Sequence, residues 1–238
     1  MSETKFDYPA LIGDRYPSFQ PDAFVRFQAH SEFFSLFERF IARNESNNAG
    51  DIPRLWALIL NLKQILAQGI AGDFAELGVW KGNTASVLAH YAAQSDRKVV
   101  LFDTFDGFDR KDLVGKDATH NPAMFKDTSV SLVKEVIGEN AGVCEFIAGR
   151  FPEIIPDECR DRIYAAVSLD CDLYEPIKAG LDFFYPRMPR GGLLFLHDYS
   201  SGHWPGAKRA VDEFCARTGE FAILMPDKSG SAFVRKSQ

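Results

Sequence analysis

A glycine-containing segment at residues 72–84, GDFAELGVWKGNT, constrains the fold of this chain more than any other stretch. Its pattern predicts a short buried strand, a tight turn and a helix over 85–93, with Asn83 and Thr84 as N-cap residues. The N-terminus of such a helix offers free backbone N–H groups to an anion. The segment therefore predicts a strand–turn–helix unit whose turn lies over a ligand, unless it is an ordinary connection with incidental glycines.

The spacing of the two glycines in this turn narrows the class of ligand. Gly78 and Gly82 form a G-x-x-x-G pattern, and the acid Glu76 lies two residues before the first glycine. The segment lacks both the G-x-G-x-x-G pattern of dinucleotide sites and the G-K-[ST] sequence of phosphate-binding loops. The turn therefore favours a nucleoside-like ligand without a diphosphate, and the carboxylate just before it favours a cationic or amino-bearing group.

Composition and charge argue against several classes of protein. The 238 residues, 46% of them hydrophobic, can form one domain with elaborations. A net charge of −6 and a pI near 5.4, without a basic stripe, argue against a nucleic-acid partner. The cysteines are scattered, without a C-x-x-C pair, and neither a signal-peptide core nor an apolar run of transmembrane length is visible. We therefore predict a cytoplasmic protein with reduced thiols and no membrane partner.

Residues 1–50 are predicted to form an N-terminal arm and a helical cap, and residues 51–238 the ligand-binding domain. Phenylalanines recur at three- and four-residue intervals over 22–43, which predicts an amphipathic helix. This aromatic face favours packing on the chain's own core, coverage of the active site or contact with a second copy in a homo-oligomer. Asp51 is predicted to cap the next helix, which ends near Gly69.

After this helix, apolar runs typical of strands alternate with helical patterns. Alternating strands and helices predict an α/β fold with a parallel sheet, and such sheets bind ligands beyond the carboxyl ends of their strands. The runs that follow the first strand lie at 98–103, 143–147, 163–169 and 193–196, and a hairpin signal joins 221–225 to 231–234.

Titratable residues gather at the predicted strand ends. Asp103 lies 25 positions after Gly78, an offset that suits acceptance of both hydroxyls of a ribose, although a strand-end acid can also simply cap a turn. The long polar loop 104–127 that follows is predicted to be a substrate lid. The full set at the strand ends is Glu76, Asp103, Asp170, Asp172, His197 and Asp198.

Asp170, Asp172, His197 and Asp198 form an acidic group of their own at the fourth and fifth strand ends. Clustered carboxylates raise one another's proton affinity unless a cation neutralises them. Oxygen ligands with one imidazole suit Mg²⁺ or Mn²⁺, which can bind two oxygens of a diol and favour its alkoxide. An acid outside the metal's ligands can then serve as general base. The alternative is a set of hydrated strand-end acids without a metal.

Several ordered motifs together resemble the macrocin O-methyltransferase family over residues 50–216. The motifs are ELGVWKG at 76–82, FDTFDGF at 102–108, DCDLYE at 170–175 and the run from Gly191-Gly192 to His197-Asp198-Tyr199. The resemblance implies a class I, Rossmann-like fold: a doubly wound, mostly parallel seven-stranded sheet with a helical N-terminal extension and a C-terminal antiparallel hairpin. It also implies an S-adenosylmethionine-dependent O-methyltransferase of antibiotic biosynthesis, whose acceptor is a hydroxyl of a sugar or other polyol-bearing small molecule.

The resemblance also implies roles for single residues. Asp170 and Asp198 would be metal ligands and Asp172 the catalytic base, while His197 stands where the family has another acid. Glu76 would meet the methionine amino end of the cofactor, and Asp103 its ribose. The full set implied at the cofactor is Glu76, Leu77, Gly78, Val79, Gly82, Asn83, Thr84, Asp103, Thr104, Phe105, Gly149, Arg150, Phe151 and Asp170.

His197 leaves alternatives open. Because imidazole binds Mg²⁺ reluctantly, the metal can be a softer ion, His197 can lie outside its ligands, or metal dependence can be lost. His197 or His203 would then be the base, since the ordinary histidine pKa of about 6.5 suits proton acceptance. An alternative from another class is a non-catalytic member of the fold that binds a nucleoside.

Overall fold

The computed structural model of the chain describes residues 32–238. The chain divides into two compact units, Met1–Glu38 and Arg39–Gln238. The predicted N-terminal arm and the first part of the helix predicted over 22–43 lie outside the described residues. Helix α1, Phe33–Ile41, coincides with the end of that predicted helix.

Beyond α1, helices follow each of the first five strands in the predicted alternation. None of the helices within the described part of the chain is long and apolar enough to span a membrane. The further helices are α2 Glu45–Asn48, α3 Ile52–Ala67, α4 Asn83–Ala93, α5 Val130–Ile137, α6 Asp157–Arg160, α7 Tyr174–Phe184 and α8 Pro205–Thr218, with short 3₁₀ segments at Gly115–Asp117, Gly138–Val143 and Tyr185–Arg187.

The strands of the described residues form one seven-stranded sheet in the order β3–β2–β1–β4–β5–β7–β6. Strands β1 to β5 are parallel, whereas β7 runs antiparallel to both β5 and β6. The doubly wound, mostly parallel sheet and its C-terminal hairpin are thus confirmed. The strands are β1 Asp73–Leu77, β2 Val99–Asp103, β3 Cys144–Ala148, β4 Tyr164–Leu169, β5 Leu193–Leu196, β6 Ile223–Leu224 and β7 Ala232–Arg235.

Strand register brings the functional residues to one edge of the sheet. Leu77 pairs with Phe102 on one side and with Leu169 on the other, and Leu169 pairs with Leu196. These residues are buried because parallel strands are covered by helices on both faces. The residues that come next along each strand are Gly78, Asp103, Asp170 and His197.

The start of α4 differs from the prediction. Gly82, with a φ of 82°, is the N-cap residue, and Asn83 and Thr84 already belong to the first helical turn. The amide of Asn83 donates instead to the carbonyl oxygens of Arg39 at 3.1 Å and Ala42 at 2.8 Å. The prediction of two polar N-caps was wrong, because the left-handed backbone at the cap favours glycine and a distant segment satisfies the asparagine.

Asp51 precedes α3 as predicted but does not cap it. Its carboxylate makes no bond to the N–H groups of its own helix. It accepts from the Nε of Arg54 at 3.0 Å and from the backbone N–H of Lys228 at 3.1 Å. Asp51 therefore joins α3 to the loop between β6 and β7, and α3 ends at Ala67, close to the predicted Gly69.

Candidate active site

A cavity of about 320 Å³ opens at the carboxyl ends of the parallel strands. It is the place where the predicted strand-end residues meet, as expected for an open α/β sheet. Its polar and charged lining residues are Asn44, Asn47, Asn48, Arg54, Glu76, Asn83, Thr84, Asp103, Thr104, Asp109, Asp112, Asp170, Asp172, His197, Asp198, Lys228 and Ser229.

Asp103, at the end of β2, holds the glycine turn in place. Its Oδ2 accepts from the backbone N–H groups of Val79 at 2.6 Å and Trp80 at 2.9 Å. Its Oδ1 accepts from the N–H of Phe105 at 2.7 Å and contacts the Thr104 hydroxyl at 3.5 Å. A carboxylate offers about four lone-pair positions, so Asp103 keeps room for roughly one further donor, whereas the spacing predicted two ribose hydroxyls.

Glu76, inside β1, is an acid buried beneath the turn. The residue is 1% exposed, and within residues 32–238 its Oε2 has no hydrogen-bond partner. Burial, and then the negative charges of Asp170 and Asp103, raise the pKa of Glu76 well above its ordinary value, against the opposing effects of Arg54 and His197. An ammonium group at Oε2 would supply the missing partner and favour the ionised carboxylate.

The tips of β4 and β5 carry acids on an unusual backbone. Asp172 and Asp198 both adopt positive φ, 61° and 57°, which non-glycine residues rarely do. Both residues are 8% exposed. Burial and the neighbouring Asp170 and Asp198 raise the pKa of Asp172 well above its ordinary value. Such local strain and crowding are typical of functional sites.

His197 lies between two of these carboxylates. Its Nδ1 is 2.7 Å from Oδ1 of Asp170 and 2.5 Å from Oδ2 of Asp198. Burial opposes protonation of the ring, but Asp170 outweighs it, and the pKa of His197 is raised to about 10. Burial likewise opposes ionisation of Asp170, and His197 outweighs it, so the pKa of Asp170 lies below its ordinary value.

Asp170, His197 and Asp198 are also positioned to share a cation. Their ligand atoms lie within 4.8 Å of one another. In the part of the chain that the structure describes, neither nitrogen of His197 makes a hydrogen bond of regular geometry, although both are buried. Two carboxylates and one imidazole fit a divalent ion of intermediate softness, such as Mn²⁺, better than Mg²⁺.

The loop between β2 and α5 encloses one side of the cavity and is anchored at two acids. Asp112 accepts from Nε of Arg150 at 3.0 Å and from its Nη2 at 2.6 Å. Asp117, 1% exposed, accepts from the backbone N–H of Tyr174 at 2.8 Å, at the start of α7. The loop predicted as a lid is therefore tied both to the turn after β3 and to α7.

Aromatic rings from three loops line the cavity together. Trp80 packs edge-on against Phe125, at 5.1 Å between centroids, and Phe125 packs against Phe108 at 5.4 Å. Trp204, after β5, contacts Phe108 at 5.8 Å. All four residues border the cavity, which gives it an apolar wall opposite the carboxylates.

Most of the sequence-predicted site residues line this cavity, and a few do not. Gly82, Phe105 and Arg150 lie outside the lining, and His203 is exposed on the surface. Gly82 packs against α5, since a Cβ there would lie 2.7 Å from Cγ1 of Val133. The predicted residues within the lining are Glu76, Leu77, Gly78, Val79, Asn83, Thr84, Asp103, Thr104, Gly149, Phe151, Asp170, Asp172, His197 and Asp198.

Sequence reasoning missed the contribution of α2, α3 and the β6–β7 loop. Arg54 is 6% exposed and borders the cavity together with Asn48 and Lys228. A signal was available, because Arg54 lies four residues before Leu58 and so falls on the apolar face of α3. A cation on a buried helix face requires an anionic or hydrogen-bonding partner. Buried charge pairs of this kind are often found at functional sites.

Comparison with known proteins places this architecture in context. The family model described as Macrocin-O-methyltransferase (TylF) matches residues 50–233. Demethyldecarbamoylnovobiocin O-methyltransferase of Streptomyces niveus is 26% identical over 215 residues, which span 79% of each chain.

A second curated relative and a solved structure agree with this match. The 8-demethyl-8-(2,3-dimethoxy-alpha-L-rhamnosyl)-tetracenomycin-C 4'-O-methyltransferase of Streptomyces olivaceus is 29% identical over 182 residues, covering 71% of this chain and 67% of the relative. The solved structure of the O-methyltransferase NovP superposes with a TM-score of 0.67 at 25% identity, covering 79% of this chain and 81% of NovP.

Proposed function

The chain belongs to the macrocin O-methyltransferase (TylF) family, and from that premise we propose that it methylates a hydroxyl of a sugar-linked small molecule with the help of a divalent cation. Membership makes it an S-adenosylmethionine-dependent O-methyltransferase. The sugar-linked acceptor is supported by the relatives, which are named for a rhamnosyl-tetracenomycin and a novobiocin precursor. The apolar wall formed by Phe108, Phe125 and Trp204 suits the aglycone or ring faces of such an acceptor.

The cofactor supplies an electrophilic methyl group on a sulfonium sulfur, and the β1–β3 side of the cavity would bind it. Glu76 would accept a hydrogen bond from the ammonium group of the methionine end, because its buried Oε2 has no partner within the described residues. Asp103 would accept one ribose hydroxyl at its remaining lone pair. Gly149 and Phe151 would border the adenine, and Phe151 is 4% exposed within an aromatic core.

Asp170, His197 and Asp198 would hold the cation. An ion held by these residues would supply Lewis-acid chemistry, which favours ionisation of a hydroxyl at the site. Asp172, on the same rim and outside the group of three, would receive the hydroxyl proton on its carboxylate as general base. Burial raises the pKa of Asp172 first, and the neighbouring acids raise it further, which makes this carboxylate a stronger base than an exposed one.

The protein would otherwise act by positioning. In the proposed reaction the acceptor oxygen forms a bond to the methyl carbon as the bond from that carbon to sulfur breaks. S-Adenosylhomocysteine leaves, and the proton remains on Asp172. Near-attack alignment of the two reacting atoms can contribute several kcal/mol to the lowering of the barrier, and the anchored lid loop would exclude water from this contact.

The metal-independent alternative with a histidine base has less support. Despite burial, the flanking carboxylates raise the pKa of His197 to about 10, so without a cation at this site the ring carries a proton at neutral pH, whereas a bound cation would take the place of that proton. His203 is exposed and lies outside the cavity lining. Neither histidine is therefore placed to take a proton from an acceptor within the cavity.

The observation that carries the proposal is the joint placement of Glu76 and the Asp170–His197–Asp198 group around one cavity. The test is calorimetric titration of S-adenosylhomocysteine into chelator-treated protein, followed by titration of Mn²⁺ and Mg²⁺. We expect micromolar cofactor binding and a Mn²⁺ signal that Asp170→Asn abolishes.

The second part of the test is transfer of radiolabelled methyl groups to a panel of rhamnosylated aromatic glycosides and their aglycones. Labelling of glycosides alone supports the sugar hydroxyl as acceptor, and labelling of aglycones alone contradicts it. Failure of the protein to bind S-adenosylhomocysteine would contradict the whole assignment. If a chelator leaves turnover unchanged, the part of the proposal that assigns a cation to the site is wrong.

A further inference from the structure

The first turn of α3 places a buried cation, Arg54, in the cavity. The residue is 6% exposed. Its Nε donates to Oδ2 of Asp51 at 3.0 Å, and its Nη2 donates to Oδ1 of Asn48 at 2.6 Å. The guanidinium carbon lies 4.9 Å from the ring centroid of Phe40. One edge of the guanidinium is therefore fixed by protein groups, and a ring covers one of its faces.

The opposite edge of this guanidinium is available to a ligand. Within residues 32–238, Nη1 of Arg54 makes no hydrogen bond. Arg54 is also one of the residues that border the cavity. A guanidinium held in this way is preorganised, so a ligand that binds Nη1 does not have to immobilise a flexible side chain.

Arg54 borders the same cavity as the buried carboxylate of Glu76. Burial and the neighbouring acids raise the pKa of Glu76, and the positive charge of Arg54 opposes them. The same charge also lowers the pKa of Asp170. The cavity therefore presents a cation with a free N–H edge and, on the same lining, a buried carboxylate oxygen that has no hydrogen-bond partner within residues 32–238.

We propose that Arg54 binds the α-carboxylate of the cofactor's methionine end while Glu76 binds its α-ammonium group. These two groups sit on one carbon atom of the methionine end, so their receptors must border one cavity and carry opposite charges, as Arg54 and Glu76 do. The inference rests on the proposed cofactor site and adds the residue that distinguishes an amino-acid end from a simple amine. Hydrogen bonds between a guanidinium and a carboxylate are among the strongest in proteins.

A competing receptor for the same carboxylate exists at the first turn of α4. The backbone N–H groups of Asn83 and Thr84 lie at the start of this helix, and both residues border the cavity. Helix N-termini bind anions. Arg54 is favoured because it carries a full charge inside a buried environment, whereas the helix end contributes a partial one.

The test compares binding of two ligands that differ only in the carboxylate, S-adenosylmethionine and decarboxylated S-adenosylmethionine. For wild-type protein we expect S-adenosylmethionine to bind at least about thirtyfold more tightly, since loss of one partner of a buried charge pair has effects of this size. For Arg54→Gln we expect the two dissociation constants to agree within about threefold. The ratio isolates the contact between Arg54 and the carboxylate, because general damage to the site affects both ligands.

Two further variants keep this comparison decisive. Arg54→Gln leaves Asp51 buried without its partner, so the double variant Asp51→Asn/Arg54→Gln removes both charges and restores neutrality if the single variant fails to fold. Lys228→Gln is the matched control, because Lys228 is another cation that borders the cavity, but its Nζ already donates to the carbonyl oxygens of Ser46 at 3.0 Å and Asn47 at 3.1 Å. We expect Lys228→Gln to keep the wild-type ratio.

The outcomes separate this inference from the proposed function. If the Arg54 variants keep the wild-type ratio, or if Lys228→Gln loses it, the assignment to Arg54 is wrong. A wild-type ratio near one would also overturn it. Binding of 5′-methylthioadenosine, which lacks the amino-acid end, reports on the nucleoside site alone. If neither methylthioadenosine nor S-adenosylmethionine binds the wild-type protein, it is the cofactor assignment that fails.

Discussion

The carboxylates on the two halves of the cavity rim are stabilised in different ways. On the β2 side, the carboxylate of Asp103 is surrounded by backbone donors from the loops it connects. On the β4–β5 side, Asp170, Asp172 and Asp198 crowd together and share the charge of His197. The first arrangement stabilises the fold by itself, whereas the second leaves carboxylates crowded together, which the proposed cation would neutralise. One rim thus combines a structural half and a chemical half.

The largest effect that sharpens this contrast is expected from Asp172→Asn. Loss of a general base lowers turnover by about 10²–10⁴-fold. Because the substitution also removes charge from a crowded cluster, the melting temperature should stay equal or rise. Turnover and thermal unfolding would be measured together, with the exposed acid Asp157 changed to Asn as the control. A marked fall in melting temperature would mean that this half stabilises the fold too.

Asp103→Ala should produce the reverse outcome. The change leaves the N–H groups of Val79, Trp80 and Phe105 without their acceptor, which we expect to lower the free energy of unfolding by about 3 kcal/mol. Denaturation in urea measures this loss. The free energy of unfolding of Asp103→Asn should lie between those of wild type and Asp103→Ala, because asparagine retains one carbonyl oxygen. An Asp103→Ala protein as stable as wild type would break the distinction between the two halves.

Removal of the cation tests whether the halves are independent. Treatment with a chelator should abolish turnover, and added Mn²⁺ should restore it, while the dissociation constant of S-adenosylhomocysteine changes by less than about threefold. Asp198→Asn should weaken Mn²⁺ binding by roughly 10–100-fold. If chelation also abolishes S-adenosylhomocysteine binding, the cation organises both halves and the contrast fails.

The smallest effect is expected at the glycine turn. Gly82→Ala places a Cβ on a left-handed backbone and against the Val133 side chain, and should lower the free energy of unfolding by roughly 1–2 kcal/mol. Gly69→Ala is the matched control, because it has positive φ but no atom within 4 Å of the added Cβ. If the two variants are equally destabilised, backbone strain alone is responsible and packing on α5 contributes nothing measurable.

The sequence predicts which polar residues meet at the strand ends, but not the partners that hold Asp103 in place, and the reasons are physical. Strand ends follow from apolar runs, so the meeting of Glu76, Asp103, Asp170 and His197 could be anticipated from alternation alone. The partners of Asp103 could not, because they are backbone N–H groups whose direction depends on the exact shape of the turn. Local composition likewise suggested polar caps for α4, where tertiary contacts instead select glycine.

Arg54 shows a different limit of prediction. A single arginine near a helix start usually points to solvent, and nothing local indicates that Asp51, Asn48 and the ring of Phe40 will enclose it. Those partners come together only when α2, α3 and the β6–β7 loop pack beside the strand ends. The helical period placed the residue on the apolar face, and that observation alone could have identified it.

The closeness of Gly78 to the β4 tip has a consequence for how proteins of this design can diverge. A Cβ at position 78 would lie 2.1 Å from the carbonyl oxygen of Asp170, so no side chain fits between the glycine turn and the backbone of a proposed metal ligand. Descendants of this chain can vary the lid or the aromatic wall to accept new substrates. A side chain at position 78, however, can be accepted only together with a rearrangement of the β4 tip. The two halves of the rim must therefore change together wherever this glycine is replaced.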